Sequence, residues 1–160
     1  GFLHTKSFRR YLLRMLLFAL VSEVPFDFAM DGKLLDWTQQ NMLFTLAVGL
    51  IMLYGMKTFS ASRVVQVLIA IAAVFWCALM KTQFGLCMIL LIAVYYLLRD
   101  QKSKLWVGGV ISLMYVTGPV SVFLLKRYNG RPGDGPNKYL FYCLYPLILL
   151  ILGVITYVIA

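Results

Sequence analysis

The sequence predicts an all-α protein, a polytopic bundle of about six transmembrane helices. Three observations predict it. Apolar residues make up 62% of the 160-residue chain and charged residues 13%, against roughly 45–50% and about 25% in a soluble domain. Mean hydropathy is +0.85. The apolar residues gather into six runs, and a stretch such as Cys87-Met88-Ile89-Leu90-Leu91-Ile92-Ala93-Val94 does not alternate, as the roughly ten-residue strands of a membrane barrel would.

The six runs cover residues 11–30, 40–56, 64–80, 84–98, 105–125 and 139–160. Crossing a hydrocarbon core of about 30 Å takes about 20 helical residues. The second and third runs are therefore at the short end and the fourth is below it, lengths that suit a locally thinned bilayer. The linkers 57–63, 81–83 and 99–104 are short, which makes their flanking helices antiparallel neighbours in one bundle. The longer connections 31–39 and 126–138 fall on the opposite side. The second holds Asn129-Gly130-Arg131-Pro132-Gly133-Asp134-Gly135-Pro136, a loop composition. Residues 1–160 read as a single domain without internal repeats.

The net charge is +9. The bases lie between apolar runs, where anionic lipid headgroups account for them and nucleic acid does not. Six alternating passes put Lys6, Arg9, Arg10, Arg14, Lys57, Arg63, Arg99, Lys102 and Lys104 on the N-terminal side, and Lys33, Lys81, Lys126, Arg127, Arg131 and Lys138 on the other. That bias assigns the N-terminal side to the cytoplasm. Cys77, Cys87 and Cys143 all sit inside apolar runs with no CxxC or Cys/His cluster. A disulfide framework and a metal site are not expected.

The first run carries the most chemistry. Glu23 is an ionisable group in an apolar stretch, expensive in a membrane unless partnered, and so a functional candidate. Arg14 is nine residues away, about 13 Å along the axis and half a turn round, so the two cannot pair within one helix. Asp27 shares a face with Glu23 if the helix survives Pro25. His4 is the only histidine and suits proton transfer near neutral pH. Asn41 opens the second run, either as a helix cap or as a donor across the bundle. Lys81 and Gln83 read as a solvated turn. The last run opens Lys138-Tyr139-Leu140-Phe141-Tyr142-Cys143-Leu144-Tyr145-Pro146, an interfacial aromatic belt. Pro146, which leaves the Tyr142 carbonyl without its helical donor, is expected to shape a cavity lined by Tyr142 and Tyr145.

These segments together resemble the TraX family of bacterial membrane proteins, which is related to integral membrane acyltransferases. The resembling pieces are Gly1-Phe2-Leu3-His4-Thr5, Arg10-Tyr11-Leu12-Leu13-Arg14 and Phe18-Ala19-Leu20-Val21-Ser22-Glu23-Val24-Pro25-Phe26-Asp27. They continue with Asn41-Met42-Leu43-Phe44-Thr45-Leu46, Gly49, Lys138-Tyr139-Leu140-Phe141-Tyr142 and Tyr145-Pro146-Leu147. The resemblance implies a multi-pass protein of the bacterial inner membrane that uses acetyl-CoA as co-substrate and no metal, and that acetylates an amine or hydroxyl on a protein or glycan acceptor. It also implies one or more further helices ahead of Gly1. Under it, Arg10, Arg14 and Arg63 are candidates for the CoA phosphates. His4 and Glu23 are candidate general bases, and Asn41 and Tyr145 candidate donors to the oxyanion.

Two departures stand out. Where the family often reads Asp-Tyr-Gly, this chain has Gln83-Phe84-Gly85, and Ile148 stands where the family often has His. They favour a second reading, a non-catalytic scaffold in which Glu23 is satisfied by a fixed basic partner. A transporter is a third reading, and the lack of an inverted repeat counts against it. The acyltransferase reading expects Arg14, Glu23 and Asn41 to converge on one solvent-connected cavity, and the scaffold reading expects no central cavity.

Overall fold

A computed structural model describes residues 2, 5, 7–32, 36, 38–98, 101–112 and 138–159. They form an all-α bundle of six described helices: α1 (Phe8–Asp31), α2 (Met42–Thr58), α3 (Arg63–Leu79), α4 (Gly85–Leu97), α5 (Gln101–Ser112) and α6 (Lys138–Ile159). Each falls on one of the six apolar runs, although the second half of the fifth run lies outside the described residues. Of these helices, α6 alone is long and apolar enough to cross a membrane by length and composition. At about 1.5 Å per residue, the 17 residues of α2 and α3 and the 13 of α4 are short for that task. Six spans are therefore not demonstrated.

Helix α1 runs through Pro25 without interruption and ends on Gly32, whose φ of 67° is the left-handed conformation glycine adopts freely. Its buried stripe is Met15, Ala19, Ser22, Glu23, Phe26 and Asp27, spaced as one helical face. Its exposed face is Leu13, Leu17, Leu20, Val21 and Val24. The helix thus hides carboxylates and shows leucines, the reverse of a soluble surface helix and the pattern expected where the surroundings are apolar. Val64, Val67, Leu68, Ile71, Phe75 and Leu79 extend the apolar exterior over α3.

Two cores hold the bundle. One joins α1, α2 and α6 around Met15, Ala19, Leu43 and Ala47, with Phe18, Tyr142 and Tyr145 packed on it. The other joins α2, α3 and α4 around Met52, Met56, Ala73, Cys77, Ile89 and Ala93, so α2 belongs to both. The α3–α4 hairpin is tied back to the start of α2: the Gln40 amide donates to the Lys81 carbonyl (3.2 Å), and the Gln83 amide donates to the Gln40 carbonyl (2.8 Å). The Thr45 hydroxyl adds a bond to the Gln83 carbonyl (2.8 Å). The turn expected to be merely solvated is thus a clamp, with Thr82 buried and Lys81 exposed.

Contact register corrects the expected topology. Tyr142 stacks on Phe18 with ring centroids 5.0 Å apart, and Tyr157 meets Phe28 at 6.3 Å. Later residues of α6 therefore meet later residues of α1, and the two helices are parallel. Alternating passes of six helices would make them antiparallel. Apolar runs report that a helix exists and carry no information on its direction. The end of α6 consequently lies with the end of α1, and Lys138, the first residue of α6, moves to the end where α1 begins.

That end is basic. It holds Arg9 and Arg10 at the start of α1, Lys57 in the last turn of α2, Arg63 at the start of α3, and the starts of α5 and α6. Tyr54 of α2 stacks on Phe8 of α1 there, 4.4 Å between centroids. At the opposite end lie Asp27, Asp31 and Asp36, with Lys81 as the base among the described residues.

Candidate functional site: a carboxylate held at the start of a helix

The carboxylate of Glu23 meets the N-terminus of α2. Asn41 caps that helix, its Oδ1 accepting from the Leu43 amide (3.0 Å). Its Nδ2 donates to the Ala19 carbonyl (2.8 Å) and to Glu23 Oε2. The Asn41 backbone amide adds a longer contact of 3.4 Å to the same oxygen. Asn41 is therefore a cap and a cross-bundle donor at once. A helix N-terminus carries a partial positive charge that favours a carboxylate there, which is how α2 supports Glu23 without a cation.

The other oxygen, Glu23 Oε1, is shut off from solvent and has no hydrogen-bond partner. The same holds for Ser22 Oγ, Asp27 Oδ1 and the Tyr145 hydroxyl. Glu23 is 7% exposed, Asp27 1% and Ser22 0%. Asp27 lies one helical turn beyond Glu23. Its Oδ2 accepts from the Asp36 amide (2.7 Å). The Tyr145 hydroxyl lies beside the Met42 amide and within the field of Glu23. Buried polar atoms are normally satisfied. Four unsatisfied ones, three of them on neighbouring turns of α1, mark the place where the bundle keeps donor and acceptor capacity unspent.

Of the residues named from sequence, Glu23, Asn41 and Tyr145 come together here. Arg14 does not join them, and Glu23 Oε1 is closed to solvent, so the expected convergence of Arg14, Glu23 and Asn41 on one solvent-connected cavity is not met. Arg14 is half-buried two and a half turns earlier, with Nε shut off from solvent and unpartnered and its charge facing Tyr142. Arg10 and Arg63 are exposed at the basic end. His4 lies outside the described residues. Among the described residues no cation is paired with Glu23, which is the partner the scaffold reading required. Asp27 and Ser22 went unassigned in the sequence. The four-residue spacing of Asp27 from Glu23 was the available signal, while Ser22 offered none, since serine is ordinary in membrane helices.

The two departures from the family pattern acquire a physical meaning. Position 83 works through its backbone amide and carbonyl, so Gln serves the clamp as well as Asp. Ile148 is 46% exposed and lies three residues beyond Tyr145 on α6.

Fold and site together define a membrane-associated helical bundle with a buried carboxylate that no cation pairs among the described residues. The family model described as TraX protein matches residues 1–156, and the chain belongs to the TraX family. No curated protein and no solved structure matches it.

Proposed function

We propose that this protein is a membrane-bound acyltransferase that moves an acetyl group from acetyl-CoA to an amine or hydroxyl acceptor. The observation that carries the reading is the state of Glu23. One oxygen is fixed by Asn41 and the other is buried and free. A carboxylate oriented in this way, without a cation to neutralise it, is suited to take a proton from an acceptor as the acceptor attacks the thioester. The Tyr145 hydroxyl is a donor with unspent capacity near the same point, suited to the oxyanion that develops on the carbonyl. Both N–H groups of the Asn41 side chain are already engaged, so Asn41 is assigned to positioning Glu23 and not to the oxyanion.

The acyl donor enters from the basic end, where Arg10 and Arg63 attract its phosphates and Arg14 lies one turn further in. Arg10 and Glu23 are about 20 Å apart along α1, so the donor's pantetheine arm must extend along the bundle to bring its thioester to Glu23. The proton leaves the acceptor nitrogen or oxygen for Glu23 Oε1, the acetyl carbon bonds to the acceptor, and the C–S bond breaks to release CoA.

The test is calorimetric titration of acetyl-CoA into the full chain in nanodiscs, with Arg14→Ala in parallel. Saturable binding that the substitution weakens is expected. A folded protein that binds no acetyl-CoA at millimolar ligand would move the assignment to the scaffold.

A further inference from the structure

The basic end contains a cavity of about 390 Å³ lined by Phe2, Thr5, Phe8, Tyr54, Lys57 and Thr58. It lies 15 residues of α1, about 22 Å, from Glu23, and shares no residue with the carboxylate cluster. Its volume is within the range of small-molecule sites, roughly 300–1,000 Å³.

The lining has two halves. The aromatic half is an ordered array: Phe8 stacks on Tyr54, and Phe2 stands edge-on to Phe8 with centroids 6.4 Å apart. The polar half is Lys57 with two threonines. Lys57 Nζ is held 5.9 Å from the centre of the Phe2 ring, which keeps the ammonium over the cavity. The Thr58 hydroxyl donates to the Tyr54 carbonyl (2.9 Å) and retains its lone pairs. Among the described residues no carboxylate is paired with Lys57, Arg9, Arg10 or Arg63. A flat ring suits the aromatic half, and a phosphate suits the ammonium and the arginines beside it.

We infer that this cavity binds a phosphorylated purine nucleoside, the ring against Phe8 and Tyr54 and a phosphate on Lys57. On the acetyl-transfer reading, on which the ligand's identity rests, this is the nucleotide end of the acyl donor. The cavity then fixes that end at the cytoplasmic face while the arm reaches toward Glu23.

The probe is adenosine 3′,5′-bisphosphate, titrated into the full chain in nanodiscs of phosphatidylcholine alone and of phosphatidylcholine with phosphatidylglycerol. Lys57→Gln and Tyr54→Ala are measured beside the parent, with thermal melting as the folding control. Lys57 is exposed, so its substitution leaves the fold intact. Saturable binding in both lipids, competition with acetyl-CoA and at least tenfold weakening by Lys57→Gln are expected. Binding that ignores both substitutions, or acetyl-CoA binding that the bisphosphate does not displace, would overturn the inference. So would loss of nucleotide binding on adding phosphatidylglycerol, since the cavity would then be a lipid headgroup seat. Bisphosphate binding that depends on Lys57 in a protein that transfers no acetyl group would uphold the cavity and overturn the acyltransferase reading alone.

Discussion

Glu23 and Asn41 divide their work, and substitutions should separate the two parts. Glu23→Gln keeps an oxygen that can accept from Asn41 and removes the carboxylate. Thermal melting in detergent should stay near that of the parent, while acetyl transfer falls by about 10²–10⁴-fold, the range for loss of a general base. Asn41→Ala does the opposite first. It removes the α2 cap and the bond to the Ala19 carbonyl and leaves Glu23 without its donor. A loss of about 1–3 kcal/mol in stability is expected, read as a lower unfolding midpoint. Glu23 was legible in the sequence because a carboxylate in an apolar run has to be explained. Asn41 was legible as either of two things and proves to be both. The pairing of Asp27 was not legible, because it comes from the Asp36 amide, nine residues on, and no pattern of apolar residues announces it.

At the scale of elements, the glycines of the second core test how the helices approach. A Cβ on Gly85 would lie 2.8 Å from Cys77 Cβ and 2.9 Å from Thr82 Oγ1. Neither neighbour can swing away, since both are fixed in the hairpin. Gly85→Ala should cost about 1–3 kcal/mol, the usual size of an overpacking effect. A Cβ on Gly49 would lie 2.6 Å from the tip of Ile92, and a methyl group at the end of a side chain can rotate. Gly49→Ala should therefore cost less than Gly85→Ala in the same unfolding measurement. That six helices exist could be read from the apolar runs alone. Their directions could not, because the parallel pairing of α1 with α6 is set by contacts such as Tyr142 on Phe18 and Gly153 against Phe28 and Ala29, which leave no trace in hydropathy.

For the whole molecule, the proposed reading carries an orientation. Bases gathered at the starts of α1, α3, α5 and α6 and the end of α2 assign that end to the cytoplasmic side under the positive-inside rule, with the ends of α1 and α6 on the opposite face. With Cys143 replaced by Ser, Lys57→Cys should react with a membrane-impermeant thiol reagent only from the cytoplasmic side. Gly32→Cys should react only from the other side, together with a tag placed after Ala160. Labelling of both cysteines from one face would overturn the orientation. On the acyltransferase reading, the phosphates of the donor are met at one end and the carboxylate lies toward the other, so the reacting groups meet within the bundle.

The central claim is that Glu23 handles the proton of an acetyl transfer, and release of free CoA from acetyl-CoA by the full chain in nanodiscs, with an added amine or hydroxyl acceptor to take the acetyl group, tests it most directly. The parent should release CoA, and Glu23→Gln should lower the rate at least a hundredfold while still binding acetyl-CoA. A Glu23→Gln protein that releases CoA as fast as the parent would contradict the account.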